Sequence, residues 1–148
     1  MGELPNQEPR SVSVEGPATG FRTEVEVGGH RFVVDEPAAV GGSDKGPTPY
    51  EMLLAGLGAC TAMTLRIYAD RKKWPLERAR ISLRHRKVHA QDCVDCDHKA
   101  TRMDVVDRVI TLDGALTAEQ RTKLLEIAER CPVHQTLQSR IQVNTTLG

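Results

Sequence analysis

The sequence predicts an α+β fold, with an antiparallel sheet and two main helices in the order β-β-α-β-β-α-β. Residues 21–34, 78–90 and 103–114 alternate apolar and polar side chains, as strands do, and turn residues separate them. Residues 49–73 form a long apolar segment that ends at a Trp-Pro pair, and residues 116–131 carry apolar side chains at helical spacing. These three observations favour mixed helix and strand in one fold.

Length and composition predict one domain. The 148 residues are enough to bury a core without disulfide or metal support. Residues 1–19 lack periodicity and hold three of the eight prolines, so we expect a flexible N-terminal lead-in there and a single domain over 20–148.

The charge balance argues against charge-driven partners. Twenty basic and twenty acidic residues cancel, and aromatic residues make up only 3%, so we expect no nucleic acid partner. The longest uncharged run, residues 52–65, is too short to cross a bilayer, and the N-terminus is polar and acidic, unlike a signal peptide. We therefore expect a cytoplasmic protein with no membrane partner, in which the four cysteines are reactive, metal-bound or simply buried.

The first strands and the long helix follow from turn residues. Gly28-Gly29 divides residues 21–34 into a predicted hairpin, and a loop rich in Gly, Pro and Ser follows. We expect a helix from Thr48 or Pro49 to about Lys73. Its small residues predict a close crossing with another helix.

The second half predicts another hairpin, two helices and a last strand. On residues 78–90, alternation predicts a strand with one basic face, and residues 103–114 form the returning strand. Thr117 and Gln120 match a capping box at the start of a helix, and Pro132 restarts a short helix through Leu137. The buried stripe of the longer helix is predicted as Leu124, Leu125, Ile127 and Ala128, and residues 141–147 as a closing strand.

Two cysteines outside the second hairpin are candidates for chemistry. Cys60 lies inside the uncharged run, and Cys131 lies 71 positions later, where a helix ends and Pro132 starts another. Free N–H groups at a helix start favour a thiolate, and His134 could add positive charge. The residues alone leave open whether either thiol is reactive or only a small core residue.

The chain resembles the OsmC/Ohr family of osmotically inducible and organic-hydroperoxide-resistance proteins over about residues 21–146. The resemblance is carried by GPTPYEMLLAGLGACTAMTL, with Pro49, Glu51 and Cys60, by the distant RCPVHQTL with Cys131, and by the order of elements. It implies an intertwined homodimer with the sites at its interface, and an enzyme that reduces organic hydroperoxides, plausibly alkyl or fatty-acid derived, with electrons from a dithiol reductant and no required cofactor.

The resemblance also implies the roles of the site residues. Cys60 would be the peroxidatic thiolate, Cys131 the resolving thiol that forms a disulfide with it, and Glu51 a carboxylate that orients an activating arginine. Glu51 lies nine residues before Cys60, about 13–14 Å along a straight helix, so it does not touch the thiol directly. Arg22, Arg31 and Lys45 are available cations, but no motif selects one of them.

A second cluster is independent of the resemblance. His89, Cys93, Cys96 and His98 fall within ten residues, and a Cys-x2-Cys knuckle with two histidines is a possible zinc site or redox pair. Incidental surface thiols are the third reading, because Asp92, Asp95 and Asp97 would raise thiol pKa values.

Three classes of function follow from these residues. The first is a thiol peroxidase, and the second is a non-enzymatic module that binds metal or senses redox state through the cluster at 89–98. The third is a cysteine hydrolase, which is disfavoured because no hydrolase signature surrounds either thiol.

Overall fold

The computed structural model describes residues 10–89 and 102–148, without the side chains of residues 89 and 102. The chain divides into two compact units, Met1–Met52 and Leu53–Gly148, and each is described by itself. The single domain expected over 20–148 stays a prediction. Helices and antiparallel strands confirm the predicted α+β class. The strands form two sheets in place of the one expected, one of three strands and one of two, and no strand pairing joins them within the described residues.

The first unit is a three-stranded antiparallel sheet formed by β1 (Val12–Glu15), β2 (Thr23–Val27) and β3 (His30–Val34). Gly28 and Gly29 connect β2 to β3 with φ values of 54° and 82°, which confirms the predicted hairpin and its Gly-Gly turn. Strand β1 lies inside the predicted lead-in, so that prediction is wrong for residues 12–15. The alternating valines of β1 pair with residues of β2, along the edge of β2 opposite to β3.

The long helix α1 (Pro49–Lys72) begins in the first unit and continues through the second. It ends one residue before the predicted end, because Lys73 has a left-handed φ of 56° and Trp74-Pro75 follows. By length and composition α1 is able to cross a membrane, although the uncharged run alone is too short. Core helices meet the same criterion, and α1 contributes buried Leu65 and Ala69 to a protein core.

The second unit completes α1 with the hairpin β4 (Arg78–His89) and β5 (Arg102–Asp113), then α2 (Ala118–Ala128) and α3 (Pro132–Gln138). The capping box at Thr117 and Gln120 is confirmed. Alternation along β4 is also confirmed for residues 79–86: its arginines are exposed at 80, 84 and 86, while residues 81, 83 and 85 are half-buried. It is wrong for the next two residues, because Lys87 is exposed and Val88 is half-buried. The predicted strand at 141–147 is wrong, because the segment has no ladder partner among the described residues.

The core of the second unit lies where α1 and α2 meet around the hairpin. Its buried members are Leu65, Ala69, Leu76, Leu124, Ile127 and Ala128. Leu125, predicted to be buried with them, is 51% exposed because it points to the outer side of α2. Gly58 is the buried glycine of α1, and a Cβ there would lie 2.8 Å from Leu83 Cδ1 of β4. The predicted crossing of α1 with another helix stays a prediction.

In the first unit, the loop after β3 is organised by one buried carboxylate. Asp35 is 1% exposed and accepts hydrogen bonds from the backbone N–H groups of Glu36, Ser43 and Lys45 and from the Ser43 hydroxyl. The Ser43 hydroxyl is the largest cause that lowers the pKa of Asp35 from 3.8 to about 2, against the opposing effect of burial. The ionised form of Asp35 therefore stabilises the fold.

We expect Asp35→Asn to remove a pH dependence of stability. Because the folded-state pKa of Asp35 is depressed, its contribution to the free energy of unfolding is complete above the unfolded pKa near 3.8. This contribution is lost as the pH falls toward about 2. Urea unfolding of the wild type should weaken across this window more than unfolding of the variant. Asp44→Asn in the same loop is the control, since Asn accepts the left-handed φ of 53° found there. Identical pH profiles for Asp35→Asn and the wild type would contradict this role.

Candidate active site

The second unit brings Cys60 and Cys131 together, although 71 positions separate them in the sequence. Cys60 lies in α1, and Cys131 lies between α2 and α3; both are free thiols in hydrogen-bond contact with each other. Cys131 is fully buried, whereas Cys60 is partly exposed. The pair therefore has one sulfur accessible to small molecules and a second sulfur directly behind it.

The position of Cys131 follows from the way α2 ends. Its N–H donates to the Ala128 carbonyl in the last turn of α2, and its own carbonyl accepts from Gln135 in α3. Pro132 starts α3 at the position where a missing N–H costs nothing. Cys131 is thus held by hydrogen bonds on both sides, and its side chain points toward α1.

The two thiols titrate as a pair in which the first negative charge falls on Cys131. Burial raises the pKa of Cys131, but the hydrogen bond from Cys60, the N–H groups of His134 and Val133 and the Thr61 hydroxyl outweigh it, and the pKa is lowered. Burial is also the largest cause that raises the pKa of Cys60, followed by its hydrogen bond with Cys131. The environment of Cys131 therefore favours its ionised form more than the environment of Cys60 does.

Arg108 of β5 is a charged residue that hydrogen bonds connect to a neighbour of the two thiols. Its side chain is only 9% exposed, and Nη1 donates to Thr61 Oγ1 at 3.0 Å. Nη2 donates to Glu129 Oε1 at 2.9 Å and to His134 Nδ1 at 3.1 Å. Three hydrogen bonds to α1, the end of α2 and α3 fix the guanidinium in place.

The contact with Arg108 defines the tautomer of His134. Because the guanidinium has only donors, Nδ1 accepts and the ring proton of the neutral imidazole lies on Nε2. That Nε2 is 3.4 Å from Glu129 Oε2. His134, predicted as a possible positive charge, is therefore a neutral support for Arg108.

A cavity of about 630 Å³ lies beside Arg108 and His134. Its apolar wall is formed by Leu57, Val106, Val109 and Leu137. Within the described part of the chain, neither cysteine belongs to its lining. His134 is common to both features, because it lines the cavity and its backbone N–H bonds Cys131.

Glu51 is found in the first turn of α1 in a capping box. Its Oε2 accepts from the Thr48 N–H at 2.7 Å, and its own N–H donates to Thr48 Oγ1 at 3.2 Å. The Thr-x-x-Glu spacing was a readable signal for this cap. The catalytic role implied for Glu51 stays a prediction.

The other predicted site residues are distributed differently. In the first unit, Arg22 pairs with Glu24 at 3.0 Å, Arg31 pairs with Glu26 at 2.9 Å, and the Lys45 backbone binds Asp35. Cys93, Cys96 and His98 lie outside the described residues, as does the side chain of His89. No group of three metal-binding side chains occurs among residues 10–88 and 103–148, which leaves zinc at the 89–98 cluster only a possibility.

Sequence reasoning missed Arg108, Thr61 and Glu129. A signal for Arg108 was present: it lies in phase with Ile110 and Leu112 on the half-buried side of β5, where an apolar residue is the norm. A charge in that phase indicates a buried partner. No sequence pattern indicates Thr61, since a threonine in an apolar helix is usually bonded only to its own backbone.

The fold and the thiol pair define an α+β protein with a buried two-cysteine centre. The model of the OsmC-like protein family matches residues 42–146, so the chain belongs to this family.

Solved structures of the same fold have low sequence identity to the chain. An organic hydroperoxide resistance protein of Legionella pneumophila is 18% identical with a TM-score of 0.65, over 88% of this chain and 90% of its own. An OsmC-like protein of Mycoplasma pneumoniae is 19% identical with a TM-score of 0.65, over 94% of this chain and 96% of its own. An organic hydroperoxide resistance protein of Elizabethkingia anophelis is 18% identical with a TM-score of 0.66, over 94% of each chain. Among curated proteins, none matches this chain.

Proposed function

We propose that this protein is a thiol-dependent peroxidase that reduces organic hydroperoxides, with Cys60 as peroxidatic and Cys131 as resolving thiol. The observation that carries the proposal is the contact between a partly exposed and a fully buried thiol. Organic hydroperoxide resistance proteins among the structures of the same fold favour this substrate class.

The proposed reaction begins with proton transfer inside the pair. Cys60 passes its proton to the Cys131 thiolate, and the new Cys60 thiolate attacks the outer oxygen of ROOH. An S–O bond forms as the O–O bond breaks, and the leaving alkoxide takes the proton from Cys131 to become ROH. The Cys131 thiolate then attacks the Cys60 sulfenic acid, which forms the disulfide and releases hydroxide.

A dithiol reductant completes the proposed cycle. It transfers two electrons and two protons to the Cys60–Cys131 disulfide and is itself oxidised to a disulfide. The cycle needs no metal or organic cofactor, and the reducing cytoplasm is the proposed location. For Glu51, we retain the role implied by the family, the orientation of an arginine, since its carboxylate can accept further donors beyond its cap.

The proposed assembly is an intertwined homodimer. Large apolar side chains of α1 are exposed in the isolated chain, with Leu53 at 55%, Met63 at 64% and Ile67 at 54%. In the C-terminal segment, Ile141 and Val143 are also exposed, at 57% and 81%. A second chain would bury these surfaces.

Sedimentation at micromolar concentration tests this assembly. We expect about twice the chain mass of 16.3 kDa, because the exposed apolar surface of α1 favours association. Ile67→Glu should shift the distribution toward monomer, while Lys72→Glu at the end of the same helix serves as a control. A stable monomer of the wild-type chain would contradict the dimer.

The roles of the two thiols predict different defects in their variants. Cys60→Ser should abolish hydroperoxide reduction, because it removes the thiolate that attacks the O–O bond in the proposed reaction. Cys131→Ser should complete one turnover and leave Cys60 open to overoxidation, because nothing resolves its sulfenic acid. Peroxide consumption and mass mapping measure both, and the oxidised wild type should contain a Cys60–Cys131 disulfide. Full activity of Cys60→Ser would defeat the proposal.

The alternative is a module that binds metal or senses redox state through His89, Cys93, Cys96 and His98. It predicts that substitutions in this cluster, and not those of Cys60 and Cys131, impair the function. If Cys60 and Cys131 carry turnover, Cys93→Ser/Cys96→Ser should keep it within about a few-fold, since these residues connect two strands and lie in neither helix. Zinc analysis tests whether the cluster binds metal, and mass mapping tests whether Cys93 and Cys96 form a disulfide. Loss of turnover with an intact fold would instead make the pair an electron relay.

A further inference from the structure

Arg108 is a buried cation to which the proposed reaction assigns no step. Its side chain is only 9% exposed, and its Nη1 group donates to Thr61 Oγ1 at 3.0 Å. Thr61 is fully buried in α1 and directly follows Cys60 in the chain. One end of the guanidinium is therefore bound to the helical turn that carries the first thiol.

The other end of the guanidinium is bound to the segment that carries the second thiol. Its Nη2 group donates to Glu129 Oε1 at 2.9 Å and to His134 Nδ1 at 3.1 Å. Glu129 lies two residues before Cys131, and His134 lies three residues after it. Arg108 thus holds this segment on both sides of the residue that carries the sulfur.

The position of this segment relative to α1 matters because a disulfide forms only within narrow limits of distance and angle. Ala128 is the last residue of α2 in the buried core cluster, and Cys131 follows after the helix has ended. The hydrogen bonds of Arg108 therefore begin where the core packing of α2 stops. They connect the Cys131 segment to α1 through one rigid, planar group.

We propose that Arg108 is a positioning residue that holds the backbone segments of Cys60 and Cys131 at the separation their disulfide requires. The guanidinium carries five N–H donors in a planar fork, so one side chain can bind acceptors on three elements at once. Without this bridge the two segments gain freedom to move apart. Each thiol then meets the other less often in the geometry that forms the bond.

The step that the bridge assists is the oxidation of two thiols to a disulfide. Cys60 and Cys131 together lose two electrons and two protons, an S–S bond forms, and the oxidant takes up the electrons and protons. The inference rests on the proposed function for its natural oxidant, ROOH, which becomes ROH and water. The same disulfide can be formed by oxidised dithiothreitol, which becomes the dithiol, so the bridge can be tested without hydroperoxide.

The test measures the equilibrium between the two thiols and their disulfide. The full-length Cys93→Ser/Cys96→Ser chain keeps only Cys60 and Cys131 of the four cysteines. It is incubated with oxidised and reduced dithiothreitol at a series of ratios, and mass analysis after alkylation gives the fraction of disulfide. The ratio at which half of the chain is oxidised gives the equilibrium constant for disulfide formation.

Two substitutions of Arg108 separate the bridge from the charge. Arg108→Met removes the donors and keeps the length of the side chain, so it should lower the equilibrium constant about tenfold. Arg108→Lys keeps the charge but replaces the fork with a compact ammonium group, so it should lower the constant as well.

Substitutions of His134 test one arm of the bridge. His134→Leu removes the acceptor of one Arg108 hydrogen bond and should give a smaller decrease than Arg108→Met. His134→Asn keeps an acceptor at the position of Nδ1, so its equilibrium constant should stay near the parent value.

Arg121 provides the matched control. It is a half-buried arginine that also joins two elements, since it donates from α2 to the carbonyls of Leu112 and Gly114 at the end of β5. Arg121→Met should lower the free energy of unfolding in urea but leave the disulfide equilibrium unchanged, because it weakens the oxidised and reduced forms equally. A purely structural role of Arg108 would give the same result for Arg108→Met.

An unchanged equilibrium constant in Arg108→Met, or a parent-like constant in Arg108→Lys, would overturn the inference. If the Arg108 variants do not fold, the comparison of His134→Leu with His134→Asn decides it alone. Shifts as expected in a chain that reduces no hydroperoxide would support the inference and contradict the proposed peroxidase. Normal hydroperoxide reduction with an unchanged constant in Arg108→Met would support the peroxidase and overturn the inference.

Discussion

The close packing of α1 on the β4–β5 hairpin is the constraint on which the site depends. Gly58 lets the helix approach Leu83, the residue paired with Arg108 across the hairpin. Thr61 lies one helical turn later and thereby comes within 3.0 Å of the guanidinium. A Cβ at position 58 would lie 2.8 Å from Leu83 Cδ1, so a larger residue there requires the Leu83 side chain to move. The geometry of the thiol centre thus begins with the absence of one side chain.

A buried negative charge is the second constraint, because a thiolate removed from water is costly without compensation. Cys131 is fully buried, and its surroundings supply that compensation from several elements: the Cys60 thiol, the Thr61 hydroxyl and the N–H groups of α3. None of these donors carries a full charge. The formal charge of Arg108 is bound to Thr61, Glu129 and His134.

Membership in the OsmC-like family and the paired thiols together support the redox centre that we propose within residues 53–148. The division of labour proposed for it follows from exposure. The partly exposed Cys60 meets the substrate, and the buried Cys131 later closes the disulfide. Glu51 lies in the other unit and caps the start of α1.

The sequence by itself determined the features that depend on local physics. The Gly28-Gly29 turn, the capping box at Thr117 and the alternation along β4 follow from short-range conformational preferences, and the structure confirms them. The family was also readable, from the motifs around Cys60 and Cys131. The strand predicted at 141–147 failed because a strand needs a partner that alternation does not supply.

Only the tertiary structure decided which side chains support the thiols. Thr61 and Arg108 are separated by 47 positions, and no periodic pattern relates them, because their contact is set by how a helix lies on a hairpin. The tertiary fold also turned His134 from a possible cation into a neutral acceptor. The charge and spacing of residues can be read from the sequence. The direction of a hydrogen bond depends on which neighbour the tertiary fold brings into contact.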